Sequence, residues 1–412
     1  MNILHVAAHL GGGVGKAHAA LAESRAEAGE PERHIFALIE APRDLTYVDR
    51  IVAAGDEVRV ATPEQIRELV AAADVVQVEW WNHPRLYDLL ARTPLPAMRL
   101  VLWTHISGLA PPFLPALLPS RADRTFFTSP CSFAAPNLQA AVAARPDAFA
   151  VANSGFGFAP AAARGGTGPV RCGYLGTLDF IKMHPGVFDV IDAVPGDLRV
   201  SFFGQLDPVG EVAARAAAMR HPERVRFEGY ASDPQRVLGA LDLFLYLLAP
   251  GHYGTAENAL VEAMSVGAAP LVWANPAETH IVRDGETGFV VDDLSVCAGR
   301  LAWALDHPRE VGQVGARAAD AMARSHTPAA TLATFRTAYA AVAARPREPR
   351  DFAGALGADA RAWFLSTLDP GGGEPPPGAR LLAGSSSKGS LGHFRDCFPD
   401  DPGLAALAAL AR

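Results

Sequence analysis

Short apolar runs alternate with helical stretches along the first half of the chain. The apolar runs predict strands over residues 2–7, 34–39, 74–78, 99–103, 124–128 and 148–152. The stretches between them predict helices, most clearly over residues 16–28, 63–72 and 134–144. Strands that alternate with helices indicate βαβ units, and therefore a parallel sheet covered on both faces.

A small-residue, glycine-rich segment, 159–168, interrupts this alternation and predicts an interdomain linker. After it the alternation restarts, with strands expected over residues 170–175, 198–203, 224–228, 242–247, 269–273 and 288–291. Helices are expected over residues 208–219, 233–238, 258–265 and 295–305, and a helix near 328–344 should close this second domain. No fixed-period repeat crosses the two halves, so a solenoid is not expected.

Beyond a second linker, 345–350, the composition changes. The glycine- and proline-rich run 371–378 cannot form regular structure, and 384–390 is a polar loop. Two short helical pieces, 359–368 and 402–411, flank them. The sequence therefore predicts four parts: an N-terminal domain (1–158), a linker (159–168), a second domain (169–344) and an appendage of unknown fold (345–412).

Length and composition favour a multidomain enzyme over other classes. The chain has 412 residues, half of them hydrophobic and 19% charged, with a formal net charge of -8. At about 150 residues per domain this predicts two to three domains with real cores. The negative charge disfavours a nucleic-acid binder. We therefore expect a soluble, cytoplasmic protein with a small anionic ligand.

The cysteine pattern and the N-terminal sequence also favour a cytoplasmic protein. The four cysteines are scattered without CxxC pairs or nearby histidines at ligand spacing, which disfavours a disulfide framework or a structural zinc site. The N-terminus has no basic segment before an apolar run, and no stretch reaches the roughly 18 to 20 apolar residues of a membrane span. These absences fit a reducing compartment.

Lysine is rare in this chain. Only Lys16, Lys182 and Lys388 occur among 36 basic residues. Where arginine is the usual cation, each remaining lysine is a better candidate for a site that needs a compact ammonium group.

A glycine loop follows the first predicted strand. Its sequence HLGGGVGK, residues 9–16, offers backbone amides and a helix start to an anion. A P-loop would need glycine in place of Leu10, and a dinucleotide fingerprint would need glycine in place of Lys16. The alternatives are a ligand-facing loop and a tight turn between strand and helix.

Lys182 lies in a second segment of interest, GYLGTLDFIKMH, just before a helix expected near Pro185. A cation is electrostatically unfavourable at a helix start unless an anion binds there. Ligands in open α/β sheets lie over the carboxyl ends of the strands, where this lysine would reach a diphosphate. The alternative is a solvated lysine.

Two glutamates mark a third segment, residues 254–270. Glu262 is the polar residue of an otherwise apolar helical stretch, and its carboxylate can accept both hydroxyls of a ribose. Glu257 stands at the helix start, where it would either contact a ligand or cap the helix. In the first half, Trp80 and Trp81 end a strand; one of them is expected to stack on an acceptor sugar or to pack in the core.

At this third segment the chain resembles the retaining GT-B glycosyltransferases of family four, glycosyl transferases group 1. The segment ALVEAMSVGAAPLVWANPAETHIVRDGETGFVV resembles two motif blocks of the family in order and spacing. SHTPAATLATFRTAYAAV resembles its closing helix, and VANSGF stands where the family turns toward the interdomain crossing. The resemblance covers residues 2 to 344. It implies two Rossmann-like domains facing each other across a cleft, with the nucleotide-sugar on the second and the acceptor on the first.

The resemblance also assigns roles to individual residues. Glu262 would hold the donor ribose, Lys182 would neutralise the donor diphosphate, and His105 would lie near the transferred sugar. The catalytic candidates are thus Lys182, His105 and Glu257. The donor-binding candidates are Gly12, Gly13, Lys16, Gly176, Thr177, Lys182, Glu257, Asn258, Ala259 and Glu262.

Two positions depart from the family pattern. Gly254 stands where the first glutamate of a pair is expected, and Thr177 stands where an arginine is expected. Glu257 is a candidate substitute for the glutamate. Lys16 is a candidate substitute for the missing cation.

The expected activity is sugar transfer from a nucleoside-diphosphate sugar to an acceptor hydroxyl with retention of configuration. No metal and no separate cofactor are expected. The acceptor is a carbohydrate, a lipid-linked or a small molecule, with no nucleic acid and at most peripheral membrane contact. Hexosyl transfer in bacterial polysaccharide synthesis is the class expectation. The alternatives are a degenerate binding protein, an epimerase or phosphorylase, and an oxidoreductase that the glycine pattern disfavours.

Overall fold

The computed structural model describes residues 1–158, 168–368 and 388–410. Contacts divide the chain into two units. The first unit comprises Met1–Gly155, Tyr253–Ala256 and the described part of Pro328–Arg412, and the second comprises Phe156–His252 and Glu257–Thr327. Each unit has its own parallel sheet, which confirms the predicted α/β class with two Rossmann-like domains.

The first unit has a seven-stranded sheet in the order β3-β2-β1-β4-β5-β6-β7. Its strands are β1 (Asn2–Ala7), β2 (Arg33–Leu38), β3 (Glu57–Val60), β4 (Val75–Trp80), β5 (Leu100–Thr104), β6 (Arg124–Phe127) and β7 (Phe149–Val151). Its first helices are α1 (Gly12–Ala28), α2 (Thr46–Ala53), α3 (Pro63–Ala72), α4 (Pro84–Arg92) and α5 (Gln139–Ala144). The strand order reverses between β1 and β4, which is where ligands bind in open parallel sheets.

The second unit repeats this topology with six strands in the order β10-β9-β8-β11-β12-β13. The strands are β8 (Cys172–Leu175), β9 (Val200–Phe203), β10 (Val225–Gly229), β11 (Leu243–Tyr246), β12 (Ala269–Trp273) and β13 (Phe289–Val291). Its helices are α6 (Val187–Ala193), α7 (Glu211–Ala217), α8 (Pro234–Leu238), α9 (Asn258–Ser265), α10 (Pro276–Ile281), α11 (Leu294–Asp306) and α12 (Pro308–Ser325). Here the order reverses between β8 and β11.

The central strands are buried on both faces because helices cover each sheet. All six residues of β4 and all four of β11 are buried, as expected for parallel strands with near-continuous apolar sequence. The structure adds β3 and the helices α2, α4, α10 and α12, which the sequence pattern had not predicted.

The glycine loop is shorter than predicted. Helix α1 begins at Gly12 rather than at Lys16, with Gly11 as its N-cap. Gly15 lies inside the helix, and a β-carbon there would fall 1.8 Å from the Leu10 carbonyl oxygen. Gly15, the fourth glycine of the run, therefore serves close packing, and helical hydrogen bonding outweighs the low helix propensity of glycine.

The C-terminal residues belong to the first unit. Its remaining helices are α13 (Pro328–Ala343), α14 (Phe352–Leu356), α15 (Ala360–Ser366), α16 (Leu391–Cys397) and α17 (Pro402–Leu410). Helix α13 was expected to close the second domain, but it contacts α1, β4 and β5. The buried Tyr339 hydroxyl donates to Gln77 Oε1 at 2.6 Å, so a polar contact fixes this helix on the first sheet.

The predicted linker 345–350 is fastened to the first unit by arginines. Arg347 donates to the carbonyls of Ala71 and Ala73, each at 2.7 Å. Arg350 donates to the carbonyls of Arg121 and Met98 at 3.0 and 3.1 Å. Beyond it, α14, α15 and α16 pack on α4. The expected appendage is thus part of the first unit.

Several predicted segments lie outside the described residues. They are the first linker except its last residue, the run 371–378 and residues 384–387 of the polar loop. In the part of the chain that the structure describes, no helix is both long and apolar enough to cross a bilayer.

Candidate functional site

The strand-order reversal of the second unit brings Lys182 beside the carboxyl end of β11. The turn that follows β8 is tied to this end, because Ala249 N–H donates to the Lys182 carbonyl at 2.8 Å and Met183 forms a bridge with Leu248. The Lys182 Nζ lies 3.7 Å from Glu257 Oε2 and 5.8 Å from the centroid of the Tyr246 ring. Two predicted catalytic residues are therefore in contact.

Glu257 has an unusual backbone for a glutamate. It precedes α9 with φ 38° and ψ 54°, in the left-handed region that favours glycine. Its carboxylate makes no capping hydrogen bond, so the alternative of a helix cap is wrong. Instead the buried carboxylate accepts from the Tyr246 hydroxyl at 2.7 Å. A strained backbone that aims a carboxylate at a lysine is typical of a functional position.

Two residues that the sequence analysis missed extend this pair. His252 Nδ1 lies 3.9 Å from Glu257 Oε1, and its Nε2 lies 2.9 Å from Glu278 Oε1. Asn275 Nδ2 donates to the same oxygen at 3.2 Å. A buried histidine therefore lies between two buried carboxylates. Sequence spacing gave no signal for this arrangement, because the contacts join a loop residue to the starts of two different helices, α9 and α10.

The electrostatics of this network are set by burial and by opposite charges. Burial lowers the pKa of His252, but the hydrogen bond to Glu278 and the Glu257 carboxylate outweigh it, so the pKa is raised. Burial raises the pKa of Glu257, but Lys182, His252 and Tyr246 outweigh it, so the pKa lies below its usual range. Both directions favour the charged forms, so a cationic form of His252 and an ionised Glu257 stabilise each other in this buried network.

We predict that His252 makes the second unit less stable as the pH rises. A histidine whose folded pKa is raised contributes stability in full below its unfolded pKa of about 6.5. That contribution is lost as the pH rises through the folded pKa. In urea denaturation at pH 6 and pH 9, the free energy of unfolding should fall more in the wild type than in His252→Gln.

The matched control is His280→Gln, which changes an exposed histidine of the same unit. This variant should keep the wild-type difference between the two pH values. An equal pH response in His252→Gln and the wild type would show that His252 is not charged through these contacts.

The other predicted donor residues lie around the same strand ends. Glu262 is buried within α9, and Asn258 and Ala259 form its first turn. The Oδ1 atom of Asn258 is buried without a hydrogen-bond partner among the described residues. Gly176 directly follows β8, and Thr177 is exposed beside it. The structure therefore gathers the second-domain candidates at one edge of the sheet.

The first-unit candidates lie at the equivalent edge. Gly12 and Gly13 are exposed at the start of α1, which has no side-chain cap. Lys16 is half-buried one turn later, and burial, with a smaller effect of Arg50, lowers its pKa to about 8. An uncapped helix start with exposed amides is suited to an anion.

His105 directly follows β5 and is held by a buried carboxylate. Its Nε2 lies 2.9 Å from Glu79 Oε2, while Glu79 Oε1 lies 3.2 Å from His5 Nδ1. Gln77 donates to Glu79 Oε1 at 2.7 Å. Burial raises the pKa of Glu79, but the histidines around it hold it well below its usual range. The ionised carboxylate therefore accepts a hydrogen bond from Nε2–H of His105, and Nδ1 of the neutral ring is left as an acceptor.

The tryptophan expectation is wrong in one respect. Trp80 and Trp81 are both buried, at 0% and 6% exposure, so neither presents an open face for a sugar. Trp80 Nε1 donates to Asn82 Oδ1 at 2.8 Å. The C-terminal segment, which the sequence pattern left unplaced, provides the contacts that bury Trp81.

Two groups among the described residues bring three metal-type ligands together: His5 with His18 and Glu79, and His83 with His393 and Cys397. In the first group Glu79 already takes hydrogen bonds from its neighbours. In the second group both histidines accept a backbone N–H at Nδ1, at 3.2 and 3.0 Å, which places a proton on each Nε2. Neither group is arranged as an open metal site.

Comparison with known proteins relates the second unit to a known family. Residues 170–307, a third of the chain, match the family described as Glycosyl transferases group 1. No curated protein matches the chain.

Solved structures are similar over most of the chain. The Anabaena HepE structure with UDP and glucose is 16% identical, with a TM-score of 0.66, over 83% of this chain and all of that one. A glycosyltransferase from Rickettsia africae is 13% identical, with a TM-score of 0.66 over 84% and 99%. The sucrose-phosphate synthase of Thermosynechococcus elongatus is 14% identical, with a TM-score of 0.62 over 83% and 100%. The chain therefore has the GT-B fold.

Proposed function

We propose that this protein is a glycosyltransferase that moves a sugar from a nucleoside-diphosphate sugar to an acceptor hydroxyl with retention of configuration. The observation that carries the proposal is the contact of Lys182 with Glu257 at the β8/β11 strand ends. It lies in the unit that matches Glycosyl transferases group 1. A hexose is the expected sugar, and a carbohydrate, lipid-linked or small molecule the expected acceptor.

The chemical task is departure of the nucleoside diphosphate from the anomeric carbon. Negative charge grows on the diphosphate, and a preorganised cation stabilises it in the transition state. The Lys182 ammonium is 28% exposed, so a diphosphate can reach it, while its partner carboxylate is only 1% exposed. When an anion binds, the lysine already faces the strand ends and needs little reorganisation.

Glu257 is proposed to contact the transferred sugar in place of the glutamate that the family pattern has where Gly254 stands. Its carboxylate is ionised, buried and aimed from a strained backbone toward Lys182. Such a carboxylate stabilises positive charge that develops at the anomeric carbon, or accepts from a sugar hydroxyl. Glu262, the fifth residue of α9, is the proposed ribose ligand.

Binding of nucleotides tests the proposal before any acceptor is known. Thermal unfolding would be followed with UDP, GDP, ADP, CMP and NAD, starting with UDP because HepE binds UDP-glucose. A ligand at a hundred times its dissociation constant adds about 2.7 kcal/mol, or about 5 to 10 °C for a domain of this size. One nucleoside diphosphate should raise the unfolding temperature of the wild type.

Variants of Lys182 and Glu257 make the nucleotide-binding test more specific, because they should change the nucleotide-induced shift in unfolding temperature differently. Lys182→Met should abolish the nucleotide shift. Glu257→Gln should keep or increase it, since the ammonium then lacks its competing carboxylate. The control Arg199→Met changes an 83% exposed cation of the same unit and should leave the shift unchanged. A shift with NAD alone would indicate an oxidoreductase, and no shift with any nucleotide would indicate a degenerate binding protein.

A further inference from the structure

Three histidines of the first unit are fixed in one tautomer. Backbone N–H groups donate to Nδ1 of His9, His83 and His393, at 3.0, 3.2 and 3.0 Å. Because a backbone N–H is only a donor, each Nδ1 must carry a lone pair, and each neutral ring then carries its proton on Nε2. Each of these three rings thus carries an imidazole N–H donor.

These donors lie together, although their residues are far apart in sequence. The ring centroids of His9 and His83 are 5.8 Å apart, and those of His83 and His393 are 4.7 Å apart. Trp81 joins the group, with its ring stacked on His393 at 6.0 Å and an interplanar angle of 5°. The carboxyl ends of β1 and β4 supply His9, Trp81 and His83, so the group lies at the strand-order reversal of the first sheet.

Lys388 adds a positive charge to this group. Its Nζ lies 4.7 Å from the centroid of the Trp81 ring. A β-carbon on Gly12 would lie 4.0 Å from the same Nζ, so the ammonium sits beside the first residue of α1. Within the described residues the contact of this ammonium is an aromatic ring rather than a carboxylate. A cation at a helix start is unfavourable unless an anion binds there.

The carboxylate in this region is already paired. Glu40 contacts His83 Nε2 at 3.3 Å and Arg85 Nε at 3.8 Å. Burial and the Lys388 ammonium lower the pKa of His9 to about 4, so the ring is neutral at pH 7. Burial lowers the pKa of His393 to about 4 as well. The charged side chains that act on His9 are thus two cations, Lys388 and Arg43, and one carboxylate, Glu40.

We propose that His9, His393 and Lys388 bind a phosphate group, and that in the proposed transferase this group belongs to the acceptor. The acceptor part rests on the proposed function; phosphate binding does not. A phosphate offers at least three acceptor oxygens, which matches two imidazole N–H groups and an ammonium better than the two oxygens of a carboxylate. His83 supports the group through Glu40 rather than by contact with the ligand.

Imidazole NMR of the full chain labelled with ¹⁵N-histidine tests this directly. The Lys182→Met background removes the proposed diphosphate site. Titration with inorganic phosphate should shift the Nε2–H signals of His9 and His393 in a saturable manner at millimolar concentration. Glucose 6-phosphate should shift the same signals at lower concentration, which would distinguish an esterified phosphate from the free ion.

In the Lys182→Met background, Lys388→Met should weaken phosphate binding at least tenfold. Introduced alone into the wild type, it should keep the nucleotide response that depends on Lys182. The control Arg395→Met changes an exposed cation of α16, the helix that follows Lys388, and should bind phosphate like the parent. Equal binding by Lys388→Met, or no saturable shift at these histidines, would overturn the proposal. Loss of both Nε2–H signals on adding zinc chloride, without a response to phosphate, would assign the group to a metal instead.

Discussion

Lys182→Met should lower the rate at which nucleoside diphosphate is released from its sugar donor by at least about a hundredfold. Removing one preorganised charged donor from a site of this kind costs about 3 to 4 kcal/mol in the transition state. Methionine keeps the unbranched apolar stem and removes only the ammonium that lies 3.7 Å from Glu257. Because the acceptor is unidentified, the measurement is donor hydrolysis with water as acceptor, using the nucleotide that stabilises the protein.

The comparison needs variants that separate catalysis from folding. Arg199→Met, at the surface of the same unit, should hydrolyse the donor at the wild-type rate. Lys182→Arg keeps the charge in a different shape and should recover part of the lost rate. If Lys182→Met is folded by circular dichroism and still releases nucleotide near the wild-type rate, the lysine does not act on the leaving group.

Gly15→Ala should destabilise the first unit by about 3 kcal/mol or more. The added methyl would fall 1.8 Å from the Leu10 carbonyl oxygen and 3.2 Å from the Tyr47 β-carbon. Both neighbours are backbone or near-backbone atoms, so rotamer changes cannot relieve the clash. Calorimetry should show the unfolding temperature lowered by about 6 to 12 °C, at 2 to 4 °C for each kcal/mol.

A second helical glycine provides the control. A β-carbon on Gly312, within α12, meets no atom within 4 Å. Gly312→Ala should therefore be neutral or stabilising by up to about 1 kcal/mol, since alanine is the better helix former. If Gly15→Ala unfolds at the wild-type temperature, the close contact of α1 with the β1 loop is not part of the native packing.

The alternation of apolar runs predicted both sheets except the edge strand β3, since parallel strands buried on both faces have continuous apolar sequence and β3 is partly exposed. The pattern was weakest where tertiary contacts decide the outcome. Helix α13 is apolar along much of its length, and only its contacts with α1, β4 and β5 show which unit it joins. The arginines of 345–350 bind carbonyl oxygens, which leave no trace in sequence.

In the candidate site, too, some residues could be predicted from the sequence and others could not. Lys182 and Glu257 were found from residue type, motif spacing and helix position, and the structure brings them together. His252 was missed because a histidine in an irregular loop has no periodicity and gains its meaning from Glu278, 26 residues later. Glu79 was likewise hidden within a strand. Charged groups in buried networks are recognisable only when the fold places their partners.

The first unit is assembled from both ends of the chain, which has a consequence for biosynthesis. The ribosome releases β1 to β7 first, then the entire second unit, and only afterwards the helix that carries Tyr339 and the segments that cover α4. Until then, the polar residues beneath β1 and β4 and the apolar face of α4 lack their native contacts. The first unit is therefore begun first on the ribosome but completed last. The second unit is continuous enough in sequence to fold earlier on the nascent chain.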